Sequence, residues 1–284
     1  MPCLGPVTVA VLSWVIGRLE KGERIAIASV IEAQGSVPGK PGARLAVSSG
    51  GDAFGTVGGA GLELKVELSL REMLSEEDYS RKKGGKIEVF MLHKDGKGKE
   101  VTALDSLCGG RVTVSMEVID PVPHILIAGG GHVGESLGVV CDSLGWKHSV
   151  FDVREEYSNR ERFPGSNEVF SGSVSDFLTN EDRGSLTRFS DILLLGHDWS
   201  IDEEMMIGLL QIRNELSRPR IGAIGSKTKW ASFRKAAINS GIPESRVDSV
   251  RCPIGLDIGA DSPEEIAVAV CAEVLSLERG VRSS

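Results

Sequence analysis

The sequence predicts an α/β protein in which a smaller mixed α/β domain precedes a Rossmann-like domain built on a parallel sheet. Three observations carry this. Residues 124–152 run as an apolar strand, a glycine turn, a helix and a second strand ending in an acid. From there to the C-terminus apolar strands alternate with helices, the pattern of a parallel sheet covered on both faces. Between the halves, Pro121 and Pro123 bracket Val122 in an extended connection that neither a helix nor a sheet centre absorbs. The boundary is therefore set between domains 1–121 and 122–284.

The elements follow in order. Val7, Val11, Trp14, Val15 and Leu19 stand at helical spacing and predict an amphipathic first helix ended by Lys21 and Gly22. It is too short to span a bilayer and lacks the basic flank of a signal peptide. Residues 24–33, 44–47 and 53–57 read as strands, the last two around the turn at 49–52. A helix over 61–74 and strands over 86–92 and 111–118 complete the first domain, with a lysine- and glycine-rich loop at 93–100. In the second domain, strands are predicted at 168–170, 192–195 and 220–224, and helices at 203–216, 230–240 and 263–277. Pro263 stands in the first turn of the last helix, with Asp261 and Ser262 as candidate caps. Residues 278–284 read as frayed.

The glycine turn is the strongest chemical signal. Gly129, Gly131 and Gly134 occupy the three positions of G-x-G-x-x-G, directly after a strand and opening a helix. The first allows the tight turn, the second the approach of a phosphate, the third the packing of helix on strand. A phosphate then meets unpaired amides at the helix N-terminus, beside His132. Asp152 lies 18 positions after Gly134, placed to accept from ribose hydroxyls, and Arg154 just beyond it is placed to tolerate a second phosphate. The alternative is a flavodoxin-like βα turn without a ligand.

Weaker candidates lie elsewhere. In the first domain Ser36, and Thr56 with Gly58 and Gly59, sit in glycine loops that expose several amides at once, suited to an oxyanion or to plain tight turns. Cys108-Gly109-Gly110 offers a thiol that a ligand can approach closely; as a thiolate, Cys108 is a candidate metal ligand. Cys141 and Cys271 lie on apolar helix faces and read as core, whereas Cys252 precedes Pro253 in an unassigned loop. Gly225-Ser226-Lys227 before a helix fails the Walker pattern, since Ser226 separates the glycine from the lysine, yet remains an anion-site candidate. Lys227 and Lys229 also read as simply solvated. His197 and Asp198, with Asp202 and Glu203, form a polar cluster read as helix capping or domain contact rather than metal. Tyr79 and Lys83 have Y-x-x-x-K spacing but precede the glycine fingerprint, so the short-chain dehydrogenase arrangement is not reproduced.

Composition narrows the partners. A formal charge of −8 argues against duplex nucleic acid or an anionic membrane as the default partner, since both demand a basic face, and leaves room for local basic spots. Five cysteines form no C-x-x-C pair, and their odd number suits a reducing compartment, so a cytoplasmic location is expected. A homodimer is expected on general grounds.

Together the motifs GSVPGKPGARLAV, GTVGGAGLE, the CGG at Cys108, HILIAGGGHVGESL, FDVRE with RFP, GHD with Asp202, IGAIGSKTK and PIGLDIGADSPEEIAVAVCAEVL resemble the xanthine dehydrogenase accessory factor family of XdhC and CoxI type. The likeness covers nearly the whole chain. It implies a non-catalytic chaperone that binds the molybdenum cofactor, molybdopterin, protects it during sulfuration by a cysteine desulfurase, and delivers it to an apo molybdenum hydroxylase. The chain departs from the family pattern at Gly61, where a cysteine commonly stands, and at Gly39 and Lys40, where an arginine commonly follows the proline. Loss of the first thiol shifts the weight to Cys108. Two other functions fit the same residues: an NAD(P)-dependent oxidoreductase using the Rossmann unit, and a nucleotide-sensing module whose output is docking on a partner.

Overall fold

A computed structural model describes residues 5–75, 84–92, 101–103, 110–212 and 218–281. The chain divides into two compact units, Met1–Pro121 and Val122–Ser284.

The first unit is a mixed sheet with a helix on each face. It comprises α1 (Gly5–Glu20), β1 (Ile25–Gly35), β2 (Arg44–Ser48), β3 (Ala53–Thr56), α2 (Ala60–Ser75), β4 (Lys86–Met91), β5 (Val101–Ala103) and β6 (Gly110–Ile119), in sheet order β3-β2-β1-β6-β4-β5. All neighbours are antiparallel except β4 and β5. The period-two alternation of β1 sorts its side chains. Ala26, Ala28 and Val30 pack with Leu62, Val66, Leu70 and Met73 of α2, while Ile25 and Ile27 face Val11 and Val15 of α1. The loop 93–100 predicted from sequence lies outside the described residues, as do Tyr79 and Lys83.

The second unit is a three-layer α/β/α sandwich. Its elements are β7 (His124–Ala128), α3 (His132–Leu144), β8 (Lys147–Asp152), β9 (Val169–Ser171), α4 (Val174–Asn180), α5 (Arg183–Leu186), β10 (Asp191–Leu194), α6 (Trp199–Ile212), β11 (Arg220–Ala223), α7 (Lys227–Asn239), α8 (Glu244–Val247) and α9 (Pro263–Glu278). Five parallel strands run in the order β11-β10-β7-β8-β9, the expected Rossmann-like sheet. Ile125 and Ile127 of β7 meet Leu137 and Cys141 of α3 and Val270 and Val274 of α9 on one face. Leu126 and Ala128 meet the opposite layer, where Met205, Met206 and Leu209 of α6 and Phe233 of α7 gather. Strand order reverses between β7 and β10, so their carboxyl ends open the crevice where folds of this kind bind ligands.

Cys141 and Cys271 are buried, as their apolar helix faces predicted. The Cys271 thiol and burial push the Cys141 thiol above its ordinary range. The C-terminal segment departs from expectation. Glu278 is not frayed: α9 runs to it, and its carboxylate accepts from Arg218 at 2.7 Å and Arg220 at 2.5 Å. Arg220 also grips the wholly buried Asp191, at 3.0 and 2.6 Å, and Arg251 reaches Asp191 at 2.7 Å. These charges bind the amino edge of the sheet to α9, opposite the crevice. Among the described residues, no helix is long and apolar enough to cross a membrane.

Candidate functional site

The crevice is built by strand register. Ala128 stands level with Phe151 on one side and Leu194 on the other, so Gly129, Asp152 and Leu195 leave the sheet side by side. Gly129 adopts φ 124°, and a methyl group there would lie 2.5 Å from the Leu195 carbonyl carbon. Only glycine makes this turn. Gly131 caps α3 with extended backbone and no side-chain partner, and a methyl group on it would meet nothing within 4 Å. The first amides of α3 thus have neither an intrahelical partner nor a side-chain cap from Gly131, and the positive end of the helix stands behind them. Gly134 closes the motif by lying against the Gly129 carbonyl, where a methyl group would come within 2.2 Å. His132 begins α3 and is exposed, lining a groove of about 550 Å³ between α3 and α9 with Glu135, Val139, Pro263 and Val268.

Asp152 is buried at the end of β8, and both its oxygens are engaged. Oδ1 accepts the Arg154 amide at 3.0 Å and Arg154 Nε at 2.9 Å; Oδ2 accepts the Gly130 amide and Arg154 Nη2, each at 3.0 Å. Burial pushes the carboxyl up, but the Arg154 and Gly130 donors outweigh it and hold it below the ordinary range. The guanidinium of Arg154 lies 3.7 Å from the centre of the Tyr157 ring. Arg162 approaches the same ring at 5.3 Å, donates to the Gly130 carbonyl at 2.8 Å and pairs with Glu135 at 2.5 Å. Tyr157 was not singled out from sequence, and Arg162 entered only as part of the RFP motif. The aromatic and the arginine of RFP within ten residues of Asp152 are the signal that would have found them.

Across the switch point, Gly196 and His197 leave β10. Asp198 accepts the Ser200 amide at 2.9 Å and its hydroxyl at 2.8 Å, the capping role read from sequence, and α6 starts earlier than predicted because of it. Asp202 accepts the Gly196 amide at 3.0 Å and Lys229 Nζ at 2.8 Å. Burial pushes its carboxyl up, and Lys229 offsets only part. Lys229 therefore is not solvated: its side chain is 6% exposed and packs on Phe233, because α7 turns it inward on the stripe Lys229, Phe233, Ala237. Lys227 is exposed. Ser226 caps α7 by accepting the Lys229 amide at 3.3 Å, and Gly225 lies against the Lys229 stem. Ala128, Gly129, Asp152, Gly196, His197 and Asp202 line the narrow crevice, whose cavity of about 20 Å³ matches the room one water needs.

In the first unit, Ser36 is exposed past the end of β1. The Thr56 hydroxyl donates to Glu63 and accepts the Gly58 amide at 3.0 Å. Gly58 and Gly59 both take positive φ, 86° and 74°. Thr56 and Gly58 join Thr8, Pro38, Gly42 and Arg44 around a cavity of about 210 Å³. At Gly61, early in α2, a side chain would meet nothing within 4 Å, so a cysteine fits there sterically. Gly110 opens β6, whereas Cys108 and Gly109 lie outside the described residues. Among the described residues no group of three or more His, Cys, Asp or Glu is placed to hold a metal ion.

Two family models match the chain. The XdhC Rossmann domain covers residues 125–274, and the XdhC and CoxI family model covers residues 18–81. A protein of Escherichia coli K12, named uncharacterized protein YqeB, is 27% identical over 89% of this chain and 43% of its own length. A probable xanthine dehydrogenase subunit of Bacillus subtilis 168 is 26% identical over 57% of this chain and 45% of its own. The chain thus spans less than half the length of either relative. A crystal structure from Bacillus halodurans, described as a xanthine dehydrogenase, aligns over 97% of both chains at 19% identity with a TM-score of 0.47. With one model spanning more than half of the sequence and the other falling in the first unit, the protein belongs to the XdhC and CoxI family.

Proposed function

We propose that this protein is an accessory factor for a molybdenum hydroxylase of the xanthine dehydrogenase type. It takes the molybdenum cofactor as cargo, holds it while a cysteine desulfurase supplies sulfur, and passes it to the apo-enzyme. One observation carries this reading: in a chain of this family, the Gly129–Gly134 turn leads into α3, whose first turn has no side-chain cap, at the strand-order reversal. Backbone amides and the helix dipole at such a place grip a phosphate without activating it, which is what carrying asks for and catalysis does not. The pterin's phosphate docks at this rim, and the Cys108 thiol is the ligand proposed for its metal. The glycine loop at Thr56 and Gly58 is the corresponding anion cradle of the first unit.

The test is direct. Purified full-length chain, expressed in cells that make the cofactor, is denatured, and the released small molecules are identified by mass spectrometry. A pterin is expected. The chain is then omitted from reconstitution of an apo hydroxylase; activation is expected to fall at least tenfold, and Cys108→Ala to lower it as well. No pterin together with unchanged activation overturns the reading. Asp152 and Arg154 at the end of β8 favour a second one, a nucleotide-sensing module, which a nucleotide in place of a pterin would support.

A further inference from the structure

A ribose diol finds no vacancy at Asp152. A carboxylate offers about four lone-pair positions. Here the amides of Gly130 and Arg154 and two nitrogens of the Arg154 guanidinium fill them, all at 2.9–3.0 Å. Two neutral hydroxyls would have to displace a bidentate, charge-assisted fork, roughly twice as strong as their own hydrogen bonds. The fork is also braced. Tyr157 stacks on the guanidinium from the turn Glu155–Tyr157, whose last amide donates to the Arg154 carbonyl at 3.0 Å.

What the fork leaves over is cationic. Arg154 spends Nε and Nη2 on Asp152, and Nη1 donates to no other described residue. Its side chain is 28% exposed. A planar guanidinium with one edge committed and another free matches a group carrying several anionic oxygens, which it can bind without releasing Asp152.

We propose that the β8 end of this crevice recognises a phosphomonoester through Arg154, in place of a ribose diol through Asp152. This rests on the reading of the crevice as a phosphate site and narrows it to a ligand class. Two sources carry that chemistry: the 2′-phosphate of an adenine nucleotide, and the phosphate of a pterin side chain.

Calorimetric titration of the full-length chain with two probe pairs separates them. One pair is 2′,5′-ADP and 5′-AMP; the other is a 6-alkylpterin monophosphate and its dephosphorylated form. In at least one pair the phosphorylated probe is expected to bind at least tenfold tighter, and the pair that shows it identifies the source. Arg154→Ala is expected to collapse that ratio to near one and, by uncovering Asp152, to tighten 5′-AMP. Arg154→Lys, with melting temperature as the check on folding, is expected to keep part of the ratio. A ratio near one in both pairs, no binding of any probe, or a ratio untouched by Arg154→Ala overturns the proposal. Hydroxylase activation is measured alongside: if it still depends on the chain while the ratio is one, only the Arg154 assignment falls.

Discussion

Gly130, Gly131 and Gly134 stand close together in one turn and answer differently to an added methyl group. At 134 it would lie 2.2 Å from the Gly129 carbonyl oxygen, and at 130 only 1.8 Å from that of Tyr157, while at 131 it meets open space. Gly134→Ala is therefore expected to destabilise the fold by about 1–3 kcal/mol, read from chemical denaturation. Gly131→Ala is expected to melt within about 0.5 kcal/mol of the parent while weakening phosphate binding severalfold, since its methyl group enters the space a guest uses. Equal effects on stability at both positions would contradict this division. His124 supplies a pH test. Burial, with Arg188 and Lys147 nearby, lowers its pKa from 6.5 to about 3, and its Nε2 is 2.8 Å from Ser149 Oγ. The unfolded chain takes up a proton below pH 6.5 that the folded chain refuses, so stability falls as pH drops toward 3, by up to about 1.4 kcal/mol per unit. A His124→Asn variant should show a shallower loss than the parent over pH 6.5–4; parallel curves would exclude the assignment.

Elements were legible in sequence where period and punctuation agreed. The strand of 124–128, the glycine turn and the helix after it could be read because composition, order and spacing all pointed one way. The helix at Pro263 was legible from that proline and its candidate caps, of which Ser262 forms a capping box: it accepts the Glu265 amide at 3.2 Å and Glu265 accepts the Ser262 amide at 3.1 Å. Short pieces such as α5 were not, although Asp182 and Ser185 form a box there too; four residues leave no periodicity to detect. The site was legible in its glycines and less so in its charges. Which way Arg154 turns depends on its rotamer, and which lysine of IGSKTK points inward depends on the phase of α7. The spacing Lys229, Phe233, Ala237 held that phase, but a lysine on an apolar stripe does not announce burial until its acid is found on α6. Lys229→Met is expected to cost about 3–5 kcal/mol by stranding the Asp202 carboxylate, and adding Asp202→Asn to recover part of it. If the double variant melts no higher than the single one, the pair is not what joins α6, α7 and Gly196.

At the scale of the whole molecule, the two units carry separate cores, and the paired prolines at 121 and 123 stand where one gives way to the other. A fragment beginning at Val122 is expected to fold alone and melt in a single cooperative transition followed by circular dichroism. A broad, non-cooperative melt would show that the second unit leans on the first. The placement of charge within that unit has a mechanical outcome. Asp191, Arg220, Arg251 and Glu278 fasten β10, β11 and α9 at the margin farthest from the glycine turn. Prising them apart would leave the wholly buried Asp191 carboxylate stranded in the interior, so this margin is the spine of the unit.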